Sequence, residues 1–143
     1  MLTPFVSGVV LALAAGVFAA ATRLDNDRAF YPTLMIVIAF CYILFSTIGG
    51  TSSTIVVESV IAAAFCVMAI LGFRRDLWLV VVALAAHGVF DLLHGFVVSN
   101  PGVPVWWPAF CSSYDLTASA FLAWTLRRRP GISAIGAAQT RRG

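Results

Sequence analysis

The chain alternates five long apolar runs with short polar punctuation. The first run covers about 3–22 and ends at a charged loop, residues 23–29, RLDNDRA. The second covers about 30–48. It opens with Tyr31 and Pro32, which suits a helix start because proline is tolerated in the first turn. A neutral turn, Gly49-Gly50-Thr51-Ser52, leads into the third run, about 53–73, which ends at Arg74-Arg75-Asp76. The fourth covers about 77–98. After it, Ser99-Asn100-Pro101-Gly102-Val103-Pro104 holds two prolines and a glycine that forbid helix. Trp106 and Trp107 open the fifth run, about 106–126, which Arg127-Arg128-Arg129-Pro130 closes. At about 1.5 Å per helical residue, each run can cross a hydrocarbon layer of about 30 Å. The pattern predicts an all-α, polytopic transmembrane helical bundle with five spans, one domain over 1–129, and a disordered basic tail over 130–143.

Composition sharpens this. The 143 residues are 61% hydrophobic and only 10% charged, against about 25% charge in soluble domains. All nine positive side chains are arginines, so any chemistry that needs a lysine amine, such as a Schiff base, is excluded. The arginines sit in loops and tail, so the net charge of +3 does not point to nucleic acid. Cys41, Cys66 and Cys111 lie inside apolar runs with no C-x-x-C pair, which argues against a disulfide framework. The first, third and last polar segments carry arginine, and the second and fourth carry none. With five spans the arginines share one side, which the positive-inside rule makes cytoplasmic. The N-terminus and the Pro-rich loop are then outside, as expected for a bacterial inner (cytoplasmic) membrane protein. Trp106 and Trp107 fit an outer aromatic belt, Trp78 and Trp124 an inner one. Ala19-Ala20-Ala21 resembles a signal cleavage site, but MLTPF has no basic start, and cleavage would place every arginine outside. Gly8, Ala12 and Gly16 form a small-xxx-small stripe, for packing within the bundle or for a homo-oligomer face. Gly88 and Gly95 on the fourth span read the same way, as close-packing positions.

The candidate chemistry centres on ALAAHGVFDLLHGFVV, residues 83–98. His87, Asp91 and His94 fall within about 60° of one helix face. Ionisable groups at membrane depth are costly, and they point into a bundle or a watery cavity. By the expected topology Glu58 lies roughly 9 Å below the outer end of its span at 1.5 Å per residue. Asp91, His94 and Asp115 sit at similar depth, with His87 nearer the midplane. Isolated buried charges must pair, bind a cation or take up a proton, and every arginine is at the other side. Tyr42, Ser46, Asn100, Trp107, Cys111 and Tyr114 are the expected cavity-lining groups around these five. Two imidazoles with carboxylates form a donor set for zinc, iron or manganese, with His87, Asp91, His94, Glu58 and Asp115 as ligands. The same five serve as the catalytic set of a metal-free acid–base or proton-transfer site, or as a hydrogen-bonded network that locks helices together.

His87-x3-Asp91 on one of five helices resembles the helix motif of emopamil-binding sterol isomerases, in which glutamate replaces Asp91. That family completes its site with a Trp-Asn pair on the last helix, where this chain carries Cys111 and Asp115. Trp107-Pro108 is similar to elements of the tryptophan-rich sensory proteins at the level of a dipeptide. The chain is assigned to neither family. The function expected from the residues is a membrane-embedded enzyme, acid–base or metal-assisted, acting on a lipid-like or small hydrophobic substrate. The alternatives are a proton- or cation-coupled transporter, a haem-binding electron carrier with His87 or His94 as axial ligand, and a structural accessory subunit.

Overall fold

The computed structural model describes residues 2–129 and 131. Five helices account for nearly all of them: α1 (Leu2–Thr22), α2 (Phe30–Gly49), α3 (Ser52–Arg74), α4 (Trp78–Val97) and α5 (Trp107–Arg128). Their ends fall within two residues of the five apolar runs. The expected tail, 130–143, lies outside the described residues apart from Gly131. The α3 start is set by Thr51, whose hydroxyl accepts from the Thr54 amide at 3.2 Å and so satisfies one of the helix's free N–H groups. All three cysteines are free thiols.

The helices do not pack in chain order. Neighbours run α1–α5–α4–α3–α2, with α2 also touching α4, so the last helix is inserted between the first and the fourth. This position explains the composition of α5. Four helices, α1 to α4, are long and apolar enough to cross a membrane. At 22 residues α5 is also long enough, but it buries Ser112, Ser113, Asp115, Ser119 and Thr125. A helix flanked on two sides needs less apolar surface, provided its polar groups are bonded internally. Ser113 donates to Phe110 O at 2.9 Å, Thr125 to Phe121 O at 3.0 Å, and Ser119 crosses to Val81 O at 2.9 Å.

The small-residue stripe of α1 is spent on this insertion. Gly8, Ala12, Gly16 and Ala19 are its buried residues. A Cβ at Gly8 would overlap the Phe110 carbonyl and Ser113 Oγ, and one at Gly16 would press on the Phe121 ring. Gly88 plays the same part between α4 and α5, where a Cβ would lie 3.1 Å from Ser112 O and 3.3 Å from Asp115 Cβ. Gly95 departs from the expectation: it is exposed, with open space around its Cα.

The bundle has two zones. Toward the arginine-bearing end the interior is apolar, built on Met35, Ala69, Val80, Leu84 and Leu122. Toward the other end it holds Tyr42, Glu58, His87, Asp91, His94 and Asp115, all buried. Arginines stitch the first end. Arg28 Nη2 donates to Phe73 O at 3.1 Å at the carbonyl end of α3, Arg127 lies over Trp78, and Arg128 over Trp124 at 4.6 Å. The 23–29 segment is more ordered than a charged loop suggests. It contains a 3-10 turn, Leu24–Asn26, entered through Arg23 at φ 62°, and it buries Asp25 against Arg129 at 3.2 Å. At the opposite end the 98–106 loop folds over α2, where a Cβ at Gly49 would lie 2.8 Å from Gly102 Cα.

Replacing Gly8 by leucine must push α1 off the backbone of α5. It should lower unfolding stability in detergent by about 1–3 kcal/mol, the range for overpacking a close contact. Gly95→Ala should leave stability unchanged. Thermal unfolding followed by near-UV circular dichroism compares the two.

Candidate functional site

The five ionisable residues expected to converge do so, but as two centres. The first lies between α4 and α5. His87 Nδ1 is 2.7 Å from Asp115 Oδ2 and 3.5 Å from Asp91 Oδ2. Asp91 lies one turn after His87 on α4 and so shares its face. Asp115 enters from α5, where Gly88 lets the two helices close. Cys111, one turn before Asp115, places Sγ 4.0 Å from Asp115 Oδ2. The donor atoms of His87, Asp91, Cys111 and Asp115 all lie within 4.8 Å of one another, and all four residues are buried, so the cluster can hold a metal ion.

The second centre joins α3, α4 and the 98–106 loop. His94 Nε2 is 2.8 Å from Glu58 Oε1, and the Asn100 side chain donates to the same oxygen at 2.9 Å. Asn100 also donates to Tyr42 O at 3.2 Å, which ties the loop to α2. His94 borders an open cleft of about 290 Å³, walled by Val98, Val103, Val105, Pro101, Pro104 and Pro108. The loop is therefore the roof of a cavity as well as a cap.

Tyr42 connects the centres. Its hydroxyl donates to Asp91 Oδ1 at 2.7 Å, and its ring stacks on His94 with centroids 4.0 Å apart and planes 16° apart. Phe90 meets His94 edge-on, and Phe65 does the same to His87 at 4.8 Å. These two phenylalanines were not among the expected site residues. As apolar residues on apolar helices they carry no mark in the sequence that sets them apart from core.

The charges do not balance equally in the two centres. Glu58 and His94 make a one-to-one pair in which Asn100 also donates to Glu58 Oε1, while Glu58 Oε2 is buried with no hydrogen-bond partner. In the first centre two carboxylates share one imidazole, and Asp91 Oδ2 and Asp115 Oδ1 are fully buried with no hydrogen-bond partner. The arginines among the described residues lie at the other end of the bundle or in its turns. A buried carboxylate in this position requires a proton or a cation.

The other expected cavity residues are placed nearby, with different partners. Ser46 donates to Ile43 O on its own helix, Tyr114 packs on Phe110, and Trp107 packs against Phe45 and Trp106. Cys111 was expected only to line the cavity, and it stands among the metal-capable donors. Glu58 and His94 form a separate pair outside that group.

The chain matches no family model, no curated protein and no solved structure.

Tyr42→Phe keeps the ring on His94 and removes the 2.7 Å hydrogen bond to Asp91 Oδ1. It should cost about 1–3 kcal/mol, the penalty for stranding a buried acceptor. A double-mutant cycle with Asp91→Asn, read by thermal unfolding, should return a coupling energy above about 0.5 kcal/mol.

Proposed function

We propose that the protein is a membrane-embedded acid–base enzyme acting on a lipid-like or small hydrophobic substrate. The observation that carries this reading is a carboxylate-oriented imidazole bordering an open, mostly apolar cleft: His94, held at 2.8 Å by Glu58, beside a space of about 290 Å³. With Glu58 accepting from Nε2–H, the other ring nitrogen of His94 carries the lone pair and acts as general base, returning the proton as acid. Asn100 fixes Glu58, and the Tyr42 ring seats the imidazole. The valine and proline walls fit an apolar molecule that presents one exchangeable proton to His94. A transmembrane proton relay is a weaker reading, because the half of the core beyond His87 is filled by Met35, Val80, Leu84 and Leu122.

The proposed setting is a five-span bundle with α5 as the fifth span, the N-terminus and the cleft outside, and the C-terminus in the cytoplasm of a bacterial cell. Its support is the gathering of Arg28, Arg74, Arg127, Arg128 and Arg129 at one end, where Arg28 hydrogen-bonds, Arg127 and Arg128 stack and Arg129 pairs, and the arginine-free roof at the other.

Two experiments test these readings. Purified protein in liposomes is incubated with a total lipid extract of bacterial membranes, and products are followed by untargeted mass spectrometry. Wild type should convert at least one apolar species, with the rate falling about 100-fold or more in His94→Gln, in line with loss of a general base. No converted species in wild type, or undiminished conversion by His94→Gln, would overturn the enzyme reading. Fluorescent protein fused after Arg129 should light up in bacterial cells, and alkaline phosphatase at the same point should stay inactive; the reverse result inverts the topology.

A further inference from the structure

The first centre is built differently from the cleft, and it calls for a different ligand. We propose that His87, Asp91 and Asp115 hold one divalent transition-metal ion of the zinc class between α4 and α5, with Cys111 as the fourth donor and Tyr42 as the positioning residue. The centre does not depend on the acid–base reading of His94, which involves none of these ligands.

Geometry supports the assignment first. A tetrahedral ion with bonds of about 2.0–2.3 Å separates its donors by roughly 3.3–3.8 Å. Here His87 Nδ1 and Asp91 Oδ2, 3.5 Å apart, fall inside that range; Cys111 Sγ and Asp115 Oδ2, at 4.0 Å, fall just outside it, and all four donors lie within 4.8 Å of one another, so an ion would draw them in by up to about 1 Å. The 2.7 Å edge between His87 Nδ1 and Asp115 Oδ2 is a hydrogen bond whose proton the ion would replace. The second support is an unmet hydrogen-bonding need. Asp91 Oδ2, on a residue 1% exposed, has no hydrogen-bond partner and lies among the four donors, 3.5 Å from His87 Nδ1. Two carboxylates and a Cys111 thiolate bring three negative charges to a neutral imidazole, and a divalent ion cancels two of them where a proton on His87 would cancel one. The donor types then choose the ion. One imidazole, one sulfur and two carboxylates suit a borderline-soft cation and disfavour magnesium or calcium, which take oxygen shells.

The neighbours complete the case. Metal ligands are usually held by a further layer of hydrogen bonds. Tyr42 supplies one by donating to Asp91 Oδ1 at 2.7 Å, which leaves Oδ2 facing His87. Phe65 closes the other face of the His87 ring. An ion here would join α4 to α5 at the depth where the core turns from apolar to polar.

The test uses the full-length protein in detergent, stripped with a chelator and titrated with Co²⁺ alone. Wild type should bind one equivalent with the intense visible bands of tetrahedral cobalt and a near-ultraviolet sulfur-to-cobalt charge-transfer band. Cys111→Ser should lose the charge-transfer band and keep visible bands. Asp115→Asn should weaken binding about 100-fold, and Tyr42→Phe about 10-fold, the scale on which supporting hydrogen bonds act. His94→Gln should bind as wild type does. Wild-type protein that takes up no stoichiometric cobalt overturns the site, as does equal weakening by His94→Gln and Asp115→Asn. A charge-transfer band that survives Cys111→Ser removes Cys111 from the shell. Far-UV circular dichroism on each variant confirms that helices persist, and the wild-type titration decides the matter even where a variant fails to fold.

Discussion

The structure depends on burying three carboxylates with no arginine beside them. Glu58, Asp91 and Asp115 are 0–1% exposed, inside helices whose surroundings are otherwise apolar. Each needs compensation from within the bundle, because an unpaired charge at that depth costs far more than the net stability of a small domain. That requirement selects the helix arrangement. Asp115 must reach His87, so α5 has to lie against α4. Glu58 must reach His94, so α3 has to lie on α4's other side. Both histidines are on α4, and α4 is accordingly the helix with α5 on one side and α3 and α2 on the other.

The glycines and serines follow from the same demand. Closing α5 onto α4 around His87 and Asp115 needs a residue without a side chain at 88, and closing α1 onto α5 needs the same at 8 and 16. Packed between α1 and α4, α5 buries Ser112, Ser113, Ser119 and Thr125, where α2 and α3 bury one serine or threonine each and α1 and α4 none. The hydroxyls of Ser113, Thr117 and Thr125 bond to carbonyls of α5's own turns and that of Ser119 to Val81 O, which offsets their burial cost, while Ser112 Oγ is buried with no partner. At the other end of the bundle charges are abundant but sit in turns, where Asp25–Arg129 and the Arg28 contacts fasten chain ends instead of building a cavity.

Much of this was legible in the chain itself. Helix number and boundaries follow from the apolar runs, because each run ends at charge or at a proline–glycine turn that no helix continues through. The His87, Asp91 and His94 face follows from helical periodicity, and the buried acids from the absence of lysine and the position of the arginines. The division into two centres was not legible. Spacing along α4 says that three side chains share a face; it does not say that α3 meets its upper turn while α5 meets its lower one. Cys111 was undervalued for the same reason, since its place beside Asp115 matters only once His87 is opposite. Gly95 failed as a packing residue because the 98–106 loop swings toward α2, through Gly102 and Asn100, and leaves that side of α4 open. Neighbour order, the one thing periodicity cannot supply, accounts for each of these differences.

The two imidazoles therefore start alike in sequence and end in different chemistry. His87 is enclosed by Phe65, Tyr42 and two carboxylates, and His94 is held by one carboxylate at the border of a cleft. A group with two anionic neighbours is suited to fixing a cation or a proton; a buried group with one anionic neighbour, at the border of a cleft, is suited to exchanging a proton with something the cleft admits. Tyr42 spans the two centres, because a single rigid ring bonds to Asp91 of the first centre and stacks on His94 of the second. The two centres thus share one side chain while their acids and imidazoles stay separate.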